Sequence, residues 1–334
     1  MFVCGLAMKN GQQHIIIVWL FILGAHDVDY TRIIKASFWT HIICLAVVWA
    51  SCGLGIVENY QFTRDWEAEI YRHCMGFTFV TTGTNLFFYT VLMQVYLRKS
   101  RITWLELIAD TGIAVWQFAY TDTKNAFAAT MLIIVLASIW KLSFRLRYVD
   151  VNKKILLGML APVMMFIFGG VSIYGNLYHG ILEWFNELVT GRLVLTKSAY
   201  ETYGIHLFGN KIHWVGFDAL QKMTEPYNYV DSSYMQKLYD MGIIFMILFF
   251  VGVYLVMKKA VLNKDYYLIL VLCVMLLHGT FEPQIFILHY NVFILAYSYI
   301  REKGHDRRLI KEGECELQQC FDSTLRKGVC DSGE

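Results

Sequence analysis

Gly191-Arg192-Leu193, Gly204-Ile205-His206-Leu207-Phe208-Gly209 and Tyr229-Val230-Asp231-Ser232-Ser233-Tyr234 punctuate the stretch from Gly175 to Gly242, the longest polar interval between hydrophobic segments in a chain of 334 residues. Outward from it in both directions the composition changes. Hydrophobic residues make up 57% of the chain and charged residues only 17%, and the apolar residues fall in long runs with few charges. Such runs mark helices that satisfy their own backbone hydrogen bonds in lipid, where no water can do so. The predicted fold class is all-α: a polytopic integral membrane protein in which about 175–238 form one large loop.

Nine hydrophobic segments can be marked, at about 14–26, 38–57, 76–97, 103–120, 125–144, 155–174, 239–257, 266–281 and 285–300. Most approach the ~20 residues that a bilayer crossing needs, which predicts eight to nine transmembrane helices within a membrane domain spanning 1–301. Residues 302–334 are polar, have no periodic apolar face and read as a disordered cytoplasmic tail.

Orientation follows from Lys and Arg in the connections. One alternate set holds Arg32 and Lys35; Arg98, Lys99 and Arg101; Lys141, Arg145, Arg147, Lys153 and Lys154; Lys258, Lys259 and Lys264; and Arg301, Lys303, Arg307 and Arg308. That side is expected to be cytoplasmic. The other set holds Arg64 and Arg72, Lys124, and the long interval with Arg192, Lys197, Lys211, Lys222 and Lys237; it is expected to face out. The alternation then sets Met1 outside, behind a leader whose one basic residue is Lys9. The alternatives are a chain that begins partway into a larger membrane protein, or a first segment that does not cross. Trp104, Tyr120, Tyr254, Tyr266 and Tyr299 stand at segment ends, where aromatic rings anchor at the interface.

Other classes find little support. Cys4, Cys44, Cys52, Cys74 and Cys273 lie in or beside apolar runs, where cysteine acts as a small hydrophobe. Cys315, Cys320 and Cys330 lack paired CxxC spacing, so no metal is implied. No nucleotide loop, GxSxG elbow or HExxH motif is present. The net charge of +2 decides nothing about an anionic partner.

Charged groups beside membrane helices are costly and persist with a partner or a task. On the outer face the candidates are Arg72, Lys124 in Thr121-Asp122-Thr123-Lys124, Arg192, Asp231 with Tyr234, and Glu282 between His278 and His289. Each also has a plainer reading. Arg72 would snorkel, Lys124 and Asp122 would pair in a turn, and Arg192 would be a solvated loop charge. Asp231 would cap the following helix, His206 would be a loop histidine, and Glu282 would mark a wet helix end. Together, however, two or three cations and one or two carboxylates suit a diphosphate bound beside a hydroxyl that must lose its proton. Arg and Lys supply the charge, and a carboxylate in hydrogen-bond reach supplies the base.

At Thr121-Asp122-Thr123-Lys124, at Gly191-Arg192-Leu193 followed by His206-Leu207-Phe208-Gly209, and at Tyr229-Val230-Asp231-Ser232-Ser233-Tyr234, the chain resembles Wzy-type polysaccharide polymerases of the O-antigen ligase superfamily. The likeness extends from about His14 to Arg301. Asp231-Ser232, nine residues and then Gly242 repeat a spacing that ligases of the superfamily begin with His, and the Asp form points to polymerase over ligase. Arg72 ahead of Gly76-Phe77 matches a further recurrent feature. Lys124 stands where the family has an arginine; it keeps the charge and loses the bidentate fork.

The resemblance implies a GT-C-like, metal-independent glycosyltransferase of the bacterial plasma membrane with its active site facing out. Its partners would be undecaprenyl-pyrophosphate-linked oligosaccharides and membrane lipid, with a flippase and a chain-length regulator nearby, and no nucleic acid or cofactor. Asp231 and Arg192 would be catalytic. Arg72, Lys124, Arg192, Tyr234 and Glu282 would bind pyrophosphate and glycan. Alternatives are an O-antigen-ligase-like transferase, a lipid-linked oligosaccharide flippase or transporter, and an inactive remnant.

Overall fold

In the computed structural model, which describes residues 2–65, 70–142, 157–216 and 227–300, a helix outside the marked runs, α1 (Phe2–Lys9), comes first, and eight of the nine apolar runs become helices α2 (Gln13–Gly24), α3 (Tyr30–Gly53), α4 (Val80–Arg98), α5 (Trp104–Thr121), α6 (Lys124–Leu142), α7 (Leu160–Tyr174), α11 (Gly242–Leu262) and α12 (Tyr266–His278). The long polar interval contributes α8 (Ile181–Leu188), α9 (Arg192–Tyr203) and α10 (Ser233–Asp240), and α13 (Ala296–Tyr299) ends the described chain. Three of these, Tyr30–Gly53, Lys124–Lys141 and Gly242–Leu262, are long and apolar enough to cross a membrane. The basic connection at 143–156, Lys222 and the tail from 302 onward lie outside the described residues.

Helix α4 is the centre of the array. It is buried along almost its whole length, from Val80 to Tyr96, because α3, α5, α6 and α12 all pack on it. Local chemistry sets the ends of these helices. Thr103 and Glu106 form a reciprocal capping box at the start of α5, which satisfies two otherwise orphaned N–H groups. At the other end Asp122 takes a left-handed conformation, φ 47°, and turns the chain directly into α6.

Two departures from the sequence expectation are physical. The chain is mostly helical, as the sequence predicts, and to this is added one small antiparallel hairpin, β1 (Gln61–Asp65) and β2 (Ile70–His73), in the register Phe62↔Arg72 and Thr63↔Tyr71. Aromatic and β-branched residues suit a pleated ribbon, and a hydropathy scan does not see them. The expected helix at 285–300 is corrected. Pro283–Phe286 and Val292–Leu295 are 3-10 turns, followed by the short α13. Asn291 donates to the Ile285 carbonyl at 2.7 Å and accepts from Phe293 N–H at 3.1 Å, so its side chain competes with the helical ladder. Residues Val292 to Ala296 are buried, and irregular backbone inside a membrane protein is tolerated where protein covers it.

The connections at one end of the helices interlock. Ile243 and Ile244, at the open N-terminus of α11, donate to the carbonyls of His206 and Leu207 at 3.1 and 3.2 Å. Gly242 permits this approach: its φ is 84°, and a Cβ there would lie 2.7 Å from the His206 oxygen. Asn10, in the turn between α1 and α2, donates to the carbonyls of Phe208 and Asp240 at 2.7 Å each. At the opposite end Lys99 pairs with Asp265 at 3.5 Å and Lys259 donates to the Ile300 carbonyl at 3.0 Å.

Candidate functional site

Three of the residues singled out from the sequence meet at one place. Arg192 stands at the first position of α9, after Thr190 and Gly191, both with positive φ. Its Nη2 donates to Glu282 Oε1 at 2.7 Å, and its Nε lies 3.1 Å from Asp231 Oδ2. Nη1 reaches Thr190 Oγ1 at 2.6 Å and the Val189 carbonyl at 3.2 Å. Asn125 turns its amide oxygen to the same guanidinium, 2.7 Å from Nη1. The Nε–H is the exception. Its contact with Asp231 is one of charge, and among the described residues the buried N–H has no hydrogen-bond acceptor.

Neighbouring elements bring the two carboxylates together. Ser232, not Asp231, caps α10, accepting from Met235 N–H at 3.4 Å; Asp231 is thereby left to pair with Arg192. Ser233 then stitches α10 to the turn that carries Glu282. Its hydroxyl donates to the Glu282 carbonyl at 2.6 Å and accepts from Ile285 N–H at 3.2 Å, while its N–H donates to the Gly279 carbonyl at 2.9 Å.

Glu282 is almost completely enclosed, with 4% of its side chain exposed. Asn85 of α4 and Gln284 both donate to Oε2, at 3.3 and 3.4 Å. Asp231 retains 24% exposure at the open side of the cluster. Burial pushes its carboxyl up to about 6, with Glu282 adding to the rise and Arg192 opposing it. One cation between two carboxylates leaves an excess negative charge that a proton on Asp231 would cancel.

The other expected site residues lie elsewhere. Arg72 on β2 donates to the Thr121 carbonyl at 2.8 Å, tying the hairpin to the α5–α6 turn. Lys124 is exposed at the start of α6, and its neighbour Asn125 is the residue that touches Arg192. Tyr234 is fully buried, with its hydroxyl donating to the Leu276 carbonyl at 2.6 Å; it holds α10 against α12 and does not face the cluster. Asn85, Asn125 and Gln284 were not singled out from the sequence. An Asn inside the apolar α4 run was the available signal, since uncharged polar groups in such runs also need partners.

A cavity of about 580 Å³ is lined by Ile17, Ile287 and Leu288 together with Gln12, Trp214, Tyr229, Gln236 and Lys237 among others. Hydrogen bonds hold its Lys237 and Trp214 side chains in place. Lys237 Nζ donates to Asp240 Oδ2 at 2.7 Å and to Gln12 Oε1 at 3.0 Å, and Trp214 Nε1 donates to the same Asp240 oxygen at 3.2 Å. Burial pushes the Tyr229 phenol up to about 12, so it serves as a neutral hydrogen-bonding group. Tyr229 and Gln236 stand two residues before and five residues after Asp231 in the chain, and the Asp231 charge adds to the rise of the Tyr229 phenol. Among the described residues no group of three or more His, Cys, Asp or Glu side chains is arranged to hold a metal.

Fold and site together define a class: a mostly helical protein in which, among the described residues, three helices are long and apolar enough to span a membrane and one guanidinium is shared by two carboxylates. No family model, curated protein or solved structure matches the chain.

Proposed function

We propose that this protein is a membrane glycosyltransferase that polymerises lipid-linked oligosaccharide units on the outer face of a bacterial plasma membrane, within a GT-C-like array of eight to nine spans. The observation that carries the reading is the Asp231 carboxylate: partly open and held beside Arg192, with an affinity for protons raised toward neutral pH. A general base works best when its pKa lies near the operating pH.

In this reading the acceptor sugar lies against Tyr229 and Gln236, and Asp231 takes the proton of its attacking hydroxyl. The hydroxyl oxygen forms a bond to the anomeric carbon of the donor glycan as the bond from that carbon to the pyrophosphate oxygen breaks. The electron pair leaves with the lipid diphosphate. Arg192 links the two events: once Asp231 is protonated it holds the guanidinium less firmly, and the Nε–H, which Asp231 does not occupy, can turn to the charge that develops on the leaving group. Lys124 and Arg72, on the neighbouring turn and hairpin, extend the positive field. Fixed positions for both substrates supply the rest of the rate.

The test is glycan length in a polymerase-deficient host that carries the chain, with Arg192→Ala and Asp231→Asn at matched membrane abundance. The expected result is a wild-type ladder of repeats that collapses to single units in both variants. Ladders that persist in both variants would remove the assignment of chemistry to this cluster.

A further inference from the structure

Helix α8 has three sectors where an ordinary amphipathic helix has two. At about 100° per residue, Leu182, Phe185 and Val189 share one side and pack on the hydrophobic core. Glu183, Asn186 and Glu187 share a second, polar side. Ile181, Trp184 and Leu188 share a third, and they are exposed: Ile181 by 78% and Trp184 by 60%. A helix that faces only protein and water has no use for this third sector, which is apolar and aromatic.

In chain order the sector follows a second exposed apolar stripe. Val163, Phe166, Ile167 and Tyr174 are exposed along one side of α7, and Tyr178 and Ile181 carry the stripe past the end of that helix. Aromatic rings close it, as they do where apolar surface meets headgroups. We infer that α8 lies in the plane of the bilayer surface, with Ile181, Trp184 and Leu188 in the boundary between headgroups and acyl chains and the two glutamates in water. The occupant of the sector is lipid.

This gives the helix a task at the site. Val189 and Thr190, which follow α8 directly, provide two of the acceptors that hold Arg192 Nη1. The Asn186 carbonyl accepts from Gly191 N–H at 2.8 Å, and its side-chain oxygen accepts from Val194 N–H at 3.3 Å. Docking α8 on lipid therefore fixes the depth of Arg192 at that of the headgroups. The inference rests on the three sectors and not on glycan transfer, so a failed polymerisation assay leaves it intact.

The experiment uses the full chain in phosphatidylcholine vesicles, comparing wild type with Trp184→Phe. The difference in emission isolates one of nine tryptophans. The expected difference signal is quenched at least twofold more strongly by lipids brominated near the headgroup than by lipids brominated near the chain ends, and hardly at all by aqueous iodide. A second arm places a fluorophore on Ile181→Cys in a cysteine-free background, and it is expected to respond in the same way. Quenching by iodide alone would return the sector to water and overturn the inference. Shielding from both quenchers would assign it to a second copy or another protein, and would overturn it equally.

Discussion

Asp231 joins two properties that pull apart. Its folded affinity for protons is raised to about 6, against about 3.9 for an unperturbed aspartate. Between those values the folded state holds a proton that the unfolded state has released, so this group stabilises the fold increasingly as pH falls from about 7 toward 4. Ionised at neutral pH, it costs stability in exchange for a usable base, a common bargain at functional sites. On going from pH 7 to pH 5, Asp231→Asn should therefore gain less in melting temperature than the wild type measured beside it. Glu282→Gln removes a negative charge that raises Asp231 while leaving Arg192, which lowers it. The acid limb of the rate profile for glycan transfer should then move to lower pH. A limb that stays in place or rises would show that Asp231 is not the titrating base. Sequence reasoning could find Arg192, Asp231 and Glu282, because charges beside apolar runs stand out. It could not find Asn125, which carries no charge, or remove Tyr234, whose burial depends on how α10 packs.

At the scale of elements, helix existence was legible and continuity was not. The nine apolar runs locate most of the long helices because burial in lipid or protein demands the same run of apolar residues. That equivalence is also why 285–300 misled: the run is apolar because protein covers it, while Pro283 and Asn291 break its ladder. Gly242 is the converse case. A glycine eleven residues beyond Asp231 gains a physical meaning once the Gly204–Gly209 loop is seen to lie on it, with its carbonyls serving the first N–H groups of α11. Gly242→Ala forces a Cβ into a left-handed conformation and against the His206 and Leu207 oxygens. Strain of this kind costs about 1–3 kcal/mol, and two helix N–H groups lose their partners as well. We expect a clear fall in melting temperature, with proteolysis appearing first within 204–216. An alanine variant as stable and as protease-resistant as wild type would separate the loop from the helix end.

For the whole molecule, the two ends of the helical array differ in chemistry. The end with Arg192 also holds the hairpin, the long polar interval and the Asn10–Gln12 turn; the other holds Arg98, Lys99, Lys141 and Lys259. The proposed orientation, in which Lys and Arg are retained on the cytoplasmic side, takes the second end as the inner one, and every step of the proposed chemistry depends on that choice, because a diphosphate-linked glycan presented outside cannot meet a base facing in. Leu207 and Lys264 test it. Leu207 is exposed at the first end, and Lys264 lies in the α11–α12 connection at the second. In a background without the eight native cysteines, Leu207→Cys should react with a membrane-impermeant maleimide in cells whose plasma membrane is intact, and Lys264→Cys only after that membrane is opened. The reverse pattern would turn the protein over and put Asp231 in the cytoplasm, where a nucleotide-linked donor would have to replace the lipid-linked one. Equal labelling of both positions before permeabilisation would mean that the segments between them do not cross an odd number of times, and the arrangement of spans would have to be redrawn from α11 onward.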